Sequence, residues 1–196
     1  MKPYTMQERR DLYAQSAIGK KYPASIPYIA ADGRLYATWI LGNDYRSLTG
    51  YHGSYPPAYT KRIASVFPDA ERVCHLFSGS LPKGNYTRFD RREDIDCDVR
   101  GDANDFASYF PEQFFDIIYA DPPYTEEDAA KYGTCLINRN KVVSEALVRV
   151  DVGGFLVWMD MVLPMYRKDE VAFMGAITLI RSTNHRVRGV FLFQKR

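Results

Sequence analysis

Cysteine is scarce in this sequence: Cys74, Cys97 and Cys135 stand far apart and are odd in number. That excludes a disulfide framework, and no pair has the short spacing of a zinc site. No metal is expected, and a reducing, cytoplasmic setting is. Net charge is scarce too, with 26 Lys and Arg against 24 Asp and Glu, a balance of +2. No global basic field announces nucleic acid, so any such surface must be local. Long apolar runs are missing, and nothing approaches the ~20 residues of a membrane span. The opening segment, with Glu8, Arg9, Arg10 and Asp11, lacks the apolar stretch of a signal peptide. No membrane partner is expected. Aromatic residues are plentiful, with 15 Tyr, 11 Phe and 2 Trp in 196 residues. They suffice for a core and leave rings for base stacking.

The most informative segment is Asp121-Pro122-Pro123-Tyr124, because of where it sits. It follows Phe114-Phe115-Asp116-Ile117-Ile118-Tyr119-Ala120, a short run rich in β-branched and aromatic residues that reads as a buried strand. Two prolines then end the strand, since neither can donate to a ladder and each fixes its own φ. A carboxylate, a stiff backbone carbonyl and an aromatic ring are thereby held at the strand's carboxyl end, where open α/β sheets bind ligands. The arrangement suits methyl transfer to an exocyclic amino group. Such a nitrogen is a poor nucleophile because its lone pair is delocalised into the base. Two acceptors taking its hydrogens localise that pair, and a stacked ring holds the flipped base.

Asp-Pro-Pro-Tyr after an apolar strand resembles the catalytic motif of S-adenosylmethionine-dependent amino-methyltransferases, above all the small DNA adenine-N6 enzymes. The resemblance spans roughly residues 51–196. It implies an α/β fold with a Rossmann-like class I methyltransferase sheet, mostly parallel with an antiparallel C-terminal strand. Asp121, Pro122, Pro123 and Tyr124 are then the catalytic residues, Asp121 also bordering the methyl donor.

The rest of the chain can be read beside that expectation, with residues 1–50 outside the resemblance. Residues 5–17 read as a helix. Pro27–Ala30 and Leu35–Leu41 flank Asp32-Gly33, a favoured hairpin turn. Residues 57–67 read as a helix between prolines. From residue 72 strands and helical segments alternate, as in a parallel sheet. Strands are expected at 72–77, 86–90, 98–102, 115–120 and 155–160, with Gly153-Gly154 opening the last. A helix is expected at 139–149 and another around 164–174. The runs 176–181 and 187–194 read as an antiparallel hairpin. Residues 1–56 would form an N-terminal helix and hairpin extension, and 57–196 the catalytic domain.

By resemblance, Phe77-Ser78-Gly79-Ser80 occupies the place of the family's first donor-binding motif, a strand ending in a Gly-rich turn. His75 and Leu81 depart from it, standing where the family has an acid and a second glycine. Asp90 falls at the ribose ligand's place. Asp102, with Ala103, falls at the adenine ligand's, and Asp94 and Asp105 are the substitutes. The segment 51–55 would close over the donor, with Lys61 or Arg62 pairing with its carboxylate. Arg181, Asn184, His185, Arg186 and Arg188 concentrate basic and polar groups at the hairpin tip, a place to meet phosphates.

The expected partner is DNA, with RNA as the alternative. No separate recognition domain fits, so target choice falls to short loops, residues 1–56, or a homodimer or partner subunit. Cytosine-N4 transfer in DNA, adenine-N6 or guanine-N2 transfer in RNA, and a non-catalytic nucleic-acid-binding subunit of the same fold are the rival readings.

Overall fold

The structure is a computed structural model and describes residues 1–42, 55–56, 58–131, 136–182 and 187–196. Asn184, His185 and Arg186, the segment 51–54 and Cys135 lie outside the described residues.

Strands appear where side-chain alternation or an unbroken apolar run calls for them. In β2 (Leu35–Leu41), Leu35, Ala37, Trp39 and Leu41 are buried, while Tyr36, Thr38 and Ile40 point away from the core. It pairs with the two-residue β1 (Tyr28–Ile29) as the expected hairpin. Every residue of β6 (Phe115–Ala120) is buried, as in a strand covered on both faces. The others are β3 (Val73–Leu76), β4 (Thr87–Asp90), β5 (Val99–Arg100), β7 (Val150–Asp160), β8 (Val171–Arg181) and β9 (Val187–Lys195). They form one sheet in the order β1-β2-β8-β9-β7-β6-β3-β4-β5. β9 runs antiparallel to β7 and β8, and β1 to β2, while the remaining neighbours are parallel. The Rossmann-like sheet with an antiparallel strand at its C-terminal end is thus present, extended by β2 and β1 beyond β8.

Helices cover both faces. On one face α1 (Met6–Gln15), α2 (Ala17–Lys21) and α3 (Tyr59–Val66) lie over the sheet. There Tyr13, Trp39, Ile63 and Val66 join Ile117, Tyr119, Phe155 and Leu192 in one core cluster. A capping box between Thr5 and Glu8 starts α1. On the other face the 3-10 helix Ala103–Tyr109 and α5 (Arg139–Val148) bury Phe106, Val142, Val143 and Ala146 against Leu76, Ile118 and Trp158. A short α4 (Glu126–Lys131) follows the prolines of the Asp121 segment.

Three expectations are corrected. No helix occupies 164–174: residues 161–167 are bend and irregular backbone, 168–170 form a turn, and β8 begins at Val171. Pro164 removes a backbone donor there. The run Val171-Ala172-Phe173-Met174-Gly175-Ala176-Ile177 is β-prone with a glycine inside it. Gly175 has φ +140°, and a Cβ on it would meet the Leu35 carbonyl oxygen at 1.9 Å, so glycine is what lets β2 pair with β8. Second, β7 does not start after Gly153-Gly154 but runs through them from Val150, with a register shift against β6 between Phe115 and Ile117. Third, the connections 77–86 and 91–98 contain no helix. In place of a helix, the second is held by Arg88, which is buried and pairs with Asp96 at 3.1 Å and Asp98 at 3.0 Å.

Candidate active site

The chain moves outward from β3 to β4 and β5, then returns to the other side of β3 for β6 and β7. The point of reversal lies between β3 and β6, and the crevice of such sheets opens at the carboxyl ends there. Phe77, Ser78 and Gly79 leave β3 at that edge, and Asp121 leaves β6 beside them.

On the β3–β5 side, Phe77, Phe89, Asp90, Arg91, Gly101, Asp102, Ala103 and Ile137 line a depression of about 240 Å³, open mouth included. Most of that volume is open mouth and little of it is enclosed, so this is a shallow depression at the strand ends, across whose mouth a ligand would lie. Phe77 and Gly79 both have positive φ, +63° and +53°. The turn is strained at a non-glycine residue, a condition that clusters at ligand sites. The Asp90 carboxylate ties this turn to β4: one oxygen accepts from the Gly79 N–H at 2.9 Å, the other from the Arg92 N–H at 3.1 Å. Each oxygen keeps a lone pair for a further donor. Asp102 caps the 3-10 helix, accepting from Asn104 N–H at 2.9 Å, and lies 3.7 Å from Arg91. Ser78 is buried, and its hydroxyl finds no partner among the described residues. Asp94 and Asp105, the substitute acids, do not line the depression: they pair with Arg92 and Lys141.

On the β6 side the Tyr124 hydroxyl donates to Asp121, and the Arg188 guanidinium lies over the Tyr124 ring, 4.8 Å from its centroid. Burial raises the Asp121 carboxyl to about 6, against the favourable charge of Arg188 and the Tyr124 hydrogen bond. It is ionised at neutral pH and can accept hydrogens. Burial, and then the Asp121 charge, push the Tyr124, Tyr55 and Tyr59 hydroxyls well up, so all three stay neutral donors. Arg188, expected among the phosphate contacts of the hairpin tip, stands against the Asp121 segment, with its Nε buried and unpartnered among the described residues. Arg181 ends β8 on the same edge, beside Leu41 of β2.

His75 sits in a box of rings. It stacks on Tyr119 at 5.1 Å, meets Tyr55 and Tyr86 edge-on, and shares a 3.2 Å hydrogen bond with the Tyr55 hydroxyl. Burial lowers its pKa to about 4, so the imidazole is neutral. Arg62 is buried 4.6 Å from the Tyr22 ring centroid and 5.9 Å from that of Trp39, in the core of the N-terminal elements rather than beside the donor turn. Burial also pushes the Cys74 thiol far up, which removes it as a nucleophile. Among the described residues no cluster of His, Cys, Asp and Glu could hold a metal, and no helix is long and apolar enough to cross a membrane.

Arg139 has no role expected from the sequence, and Tyr55 is expected only in the segment that closes over the donor. Arg139, at the start of α5, reaches Asp160 at the end of β7 at 2.6 Å and the Tyr124 carbonyl at 2.6 Å. Tyr55 joins His75 to the surroundings of Asp121. The signal for Arg139 was a cation in the first turn of a helix, where the macrodipole disfavours it.

No protein-family model and no curated protein matches this chain. Solved structures do. TrmN from Thermus thermophilus aligns over 74% of this chain and 50% of its own, at 16% identity and a TM-score of 0.50. The chain thus spans half the length of that protein. An rRNA methylase from Streptococcus thermophilus aligns over 64% of this chain and 88% of its own, at 12% identity and a TM-score of 0.38. SMU.1697c from Streptococcus mutans, solved in complex with SAH, aligns over 63% and 86%, at 11% identity and a TM-score of 0.38. At 16% identity the likeness to TrmN is one of fold. By its mixed nine-stranded sheet and that likeness, the chain has the Rossmann-like methyltransferase fold.

Proposed function

We propose that this protein transfers a methyl group from S-adenosylmethionine to the exocyclic N6 amino group of adenine in DNA. One observation carries the reading: an ionisable carboxylate, two prolines and a tyrosine leave β6 at the point of reversal, next to a depression at the ends of β3, β4 and β5. The residues present fit the donor. Asp102 at the rim would accept from its adenine amino group, and Asp90 would accept from its ribose hydroxyls. Phe77 and Ala103 would flank the base, and Gly79 leaves backbone room for the methionine part. The free Ser78 hydroxyl offers one further bond.

The bound donor supplies an electrophilic methyl carbon on a sulfonium. The chain's own part is aim and charge. Ionised Asp121 accepts one hydrogen of the target amino group and the Pro122 carbonyl the other. This localises the nitrogen lone pair as its bond to carbon forms. Tyr124 stacks on the flipped base once its ring is released from Arg188. The proton leaves after transfer, so Asp121 need not be a strong base. Arg181, Asn184, His185 and Arg186 would contact phosphates from the hairpin tip, and Arg188 would follow when the base displaces it from the ring.

The test pairs calorimetry with transfer. S-adenosylmethionine should bind the purified protein. Asp121→Ala should abolish transfer while leaving donor affinity within about threefold. Loss of both together would mean that Asp121 holds the donor instead of aiming the acceptor.

A further inference from the structure

Arg139 opens α5 immediately after the cap residue Asn138, which accepts from the Lys141 N–H. A cation at that position opposes the helix dipole, so local preference does not explain it. Its guanidinium instead bridges two elements. Nε meets Asp160 Oδ2 at 2.6 Å, and Nη2 donates to the Tyr124 carbonyl at 2.6 Å and lies 3.5 Å from Asp160 Oδ1. Asp160 is fully buried and held from two further sides, accepting from the Trp158 indole N–H at 3.2 Å and the Met161 N–H at 2.7 Å. One end of the bridge is therefore fixed to the sheet. The other donates to the backbone carbonyl that closes the 121–124 segment.

We propose that Arg139 is a positioning residue that clamps the backbone of Tyr124 to β7 through Asp160, and so sets the aim of the Pro122 carbonyl and the Tyr124 ring. The inference rests on the methyl-transfer reading above. Prolines stiffen φ but leave ψ free, so the segment still swings about its last residue. A charged, forked donor that meets a carboxylate and a carbonyl in one plane removes that freedom. A lysine is a compact charge on a flexible stem without the rigid planar fork, so it fixes the two acceptors less firmly.

The experiment compares Arg139→Ala, Arg139→Lys and Asp160→Asn with the parent protein in three readouts. The expected kcat of Arg139→Ala falls about 100-fold, the cost of roughly an ångström of misplacement, with donor affinity unchanged. Arg139→Lys recovers part of it. Asp160→Asn falls similarly, and the double variant is no worse than Arg139→Ala, as for groups acting as one unit. Amide hydrogen exchange in Arg139→Ala should speed up at residues 124–131 and stay unchanged in β6 and β7. A kcat within about twofold of the parent overturns the proposal. So does a uniform acceleration of exchange across the sheet, which would make the bridge a general stabiliser. If the parent protein transfers no methyl group at all, the functional reading fails by itself, and the exchange pattern still decides whether the clamp exists.

Discussion

The Tyr124 hydroxyl donates its hydrogen bond to the Asp121 carboxylate, the group that would otherwise accept from a substrate amine. With Arg188 over the other side of the ring, the free protein satisfies its own site. A substrate base has to replace both contacts. The ring, not the hydroxyl, is what stacking needs. Tyr124→Phe should therefore keep kcat within about threefold and lower KM for nucleic acid, whereas Tyr124→Ala should lose roughly 100-fold, the loss of one stacked base being about 1–3 kcal/mol. Steady-state kinetics of the two variants decides this. Equal loss in both would give the hydroxyl the leading role.

Asp121 sets a conflict between activity and stability. Its pKa is raised to about 6 in the fold from an unfolded value of 3.8. The folded state holds the proton more tightly, so the neutral form favours folding. That advantage is complete below pH 3.8 and is lost as pH rises through about 6. Transfer needs the ionised form, so kcat should rise with pH with a midpoint near that same value of about 6. Asp121→Asn should abolish transfer yet raise stability at pH 8, by on the order of 3 kcal/mol. Denaturant melts at pH 5 and pH 8 check it; a gain equal at both values would remove ionisation as the cause.

His75 has the opposite sign. Its pKa falls from 6.5 to about 4 on folding, so the unfolded chain takes up the proton first. Stability is full above pH 6.5 and erodes as pH falls through about 4. The linkage is worth about 3 kcal/mol at its limit. His75→Gln should flatten the decline in Tm between pH 7 and pH 4. An unchanged slope would place the acid sensitivity elsewhere.

Asp102 and Asp90 should separate. Asp102→Ala should weaken donor binding about tenfold with the fold intact, because it loses one hydrogen bond to the ligand. Asp90→Ala also frees the Gly79 N–H at 2.9 Å, so it should lower Tm as well as donor affinity. Calorimetry and thermal melts of the pair check this, and an unchanged affinity for Asp102→Ala would end its role as an adenine ligand.

What the sequence made legible was local. β6 ends at the prolines because proline ends a ladder, and β1–β2 turns at Asp32-Gly33 because that pair favours the turn. Asp90 and Asp102 could be placed near strand ends by alternation, and the structure sets both on one depression. What escaped was tertiary. The Arg139–Asp160 pair links residues 21 positions apart, and neither reveals the other. Arg62 reads as a partner for the donor's carboxylate and is instead buried against Tyr22 and Trp39. The helix expected at 164–174 failed because Val171, Ala172 and Phe173 already pair with β9, which leaves only a short connection with Pro164 in it before β8.

The central claim is transfer to adenine in DNA, and nucleoside mass spectrometry tests it most directly. Purified protein is incubated with labelled S-adenosylmethionine and, separately, unmodified DNA and RNA. The expected result is N6-methyladenine in the DNA, absent with Asp121→Ala. Methylation confined to RNA, or to cytosine, would contradict the substrate. No transfer to either polymer, with no donor binding by calorimetry, would contradict the activity and leave a methyltransferase fold that does no methyl transfer.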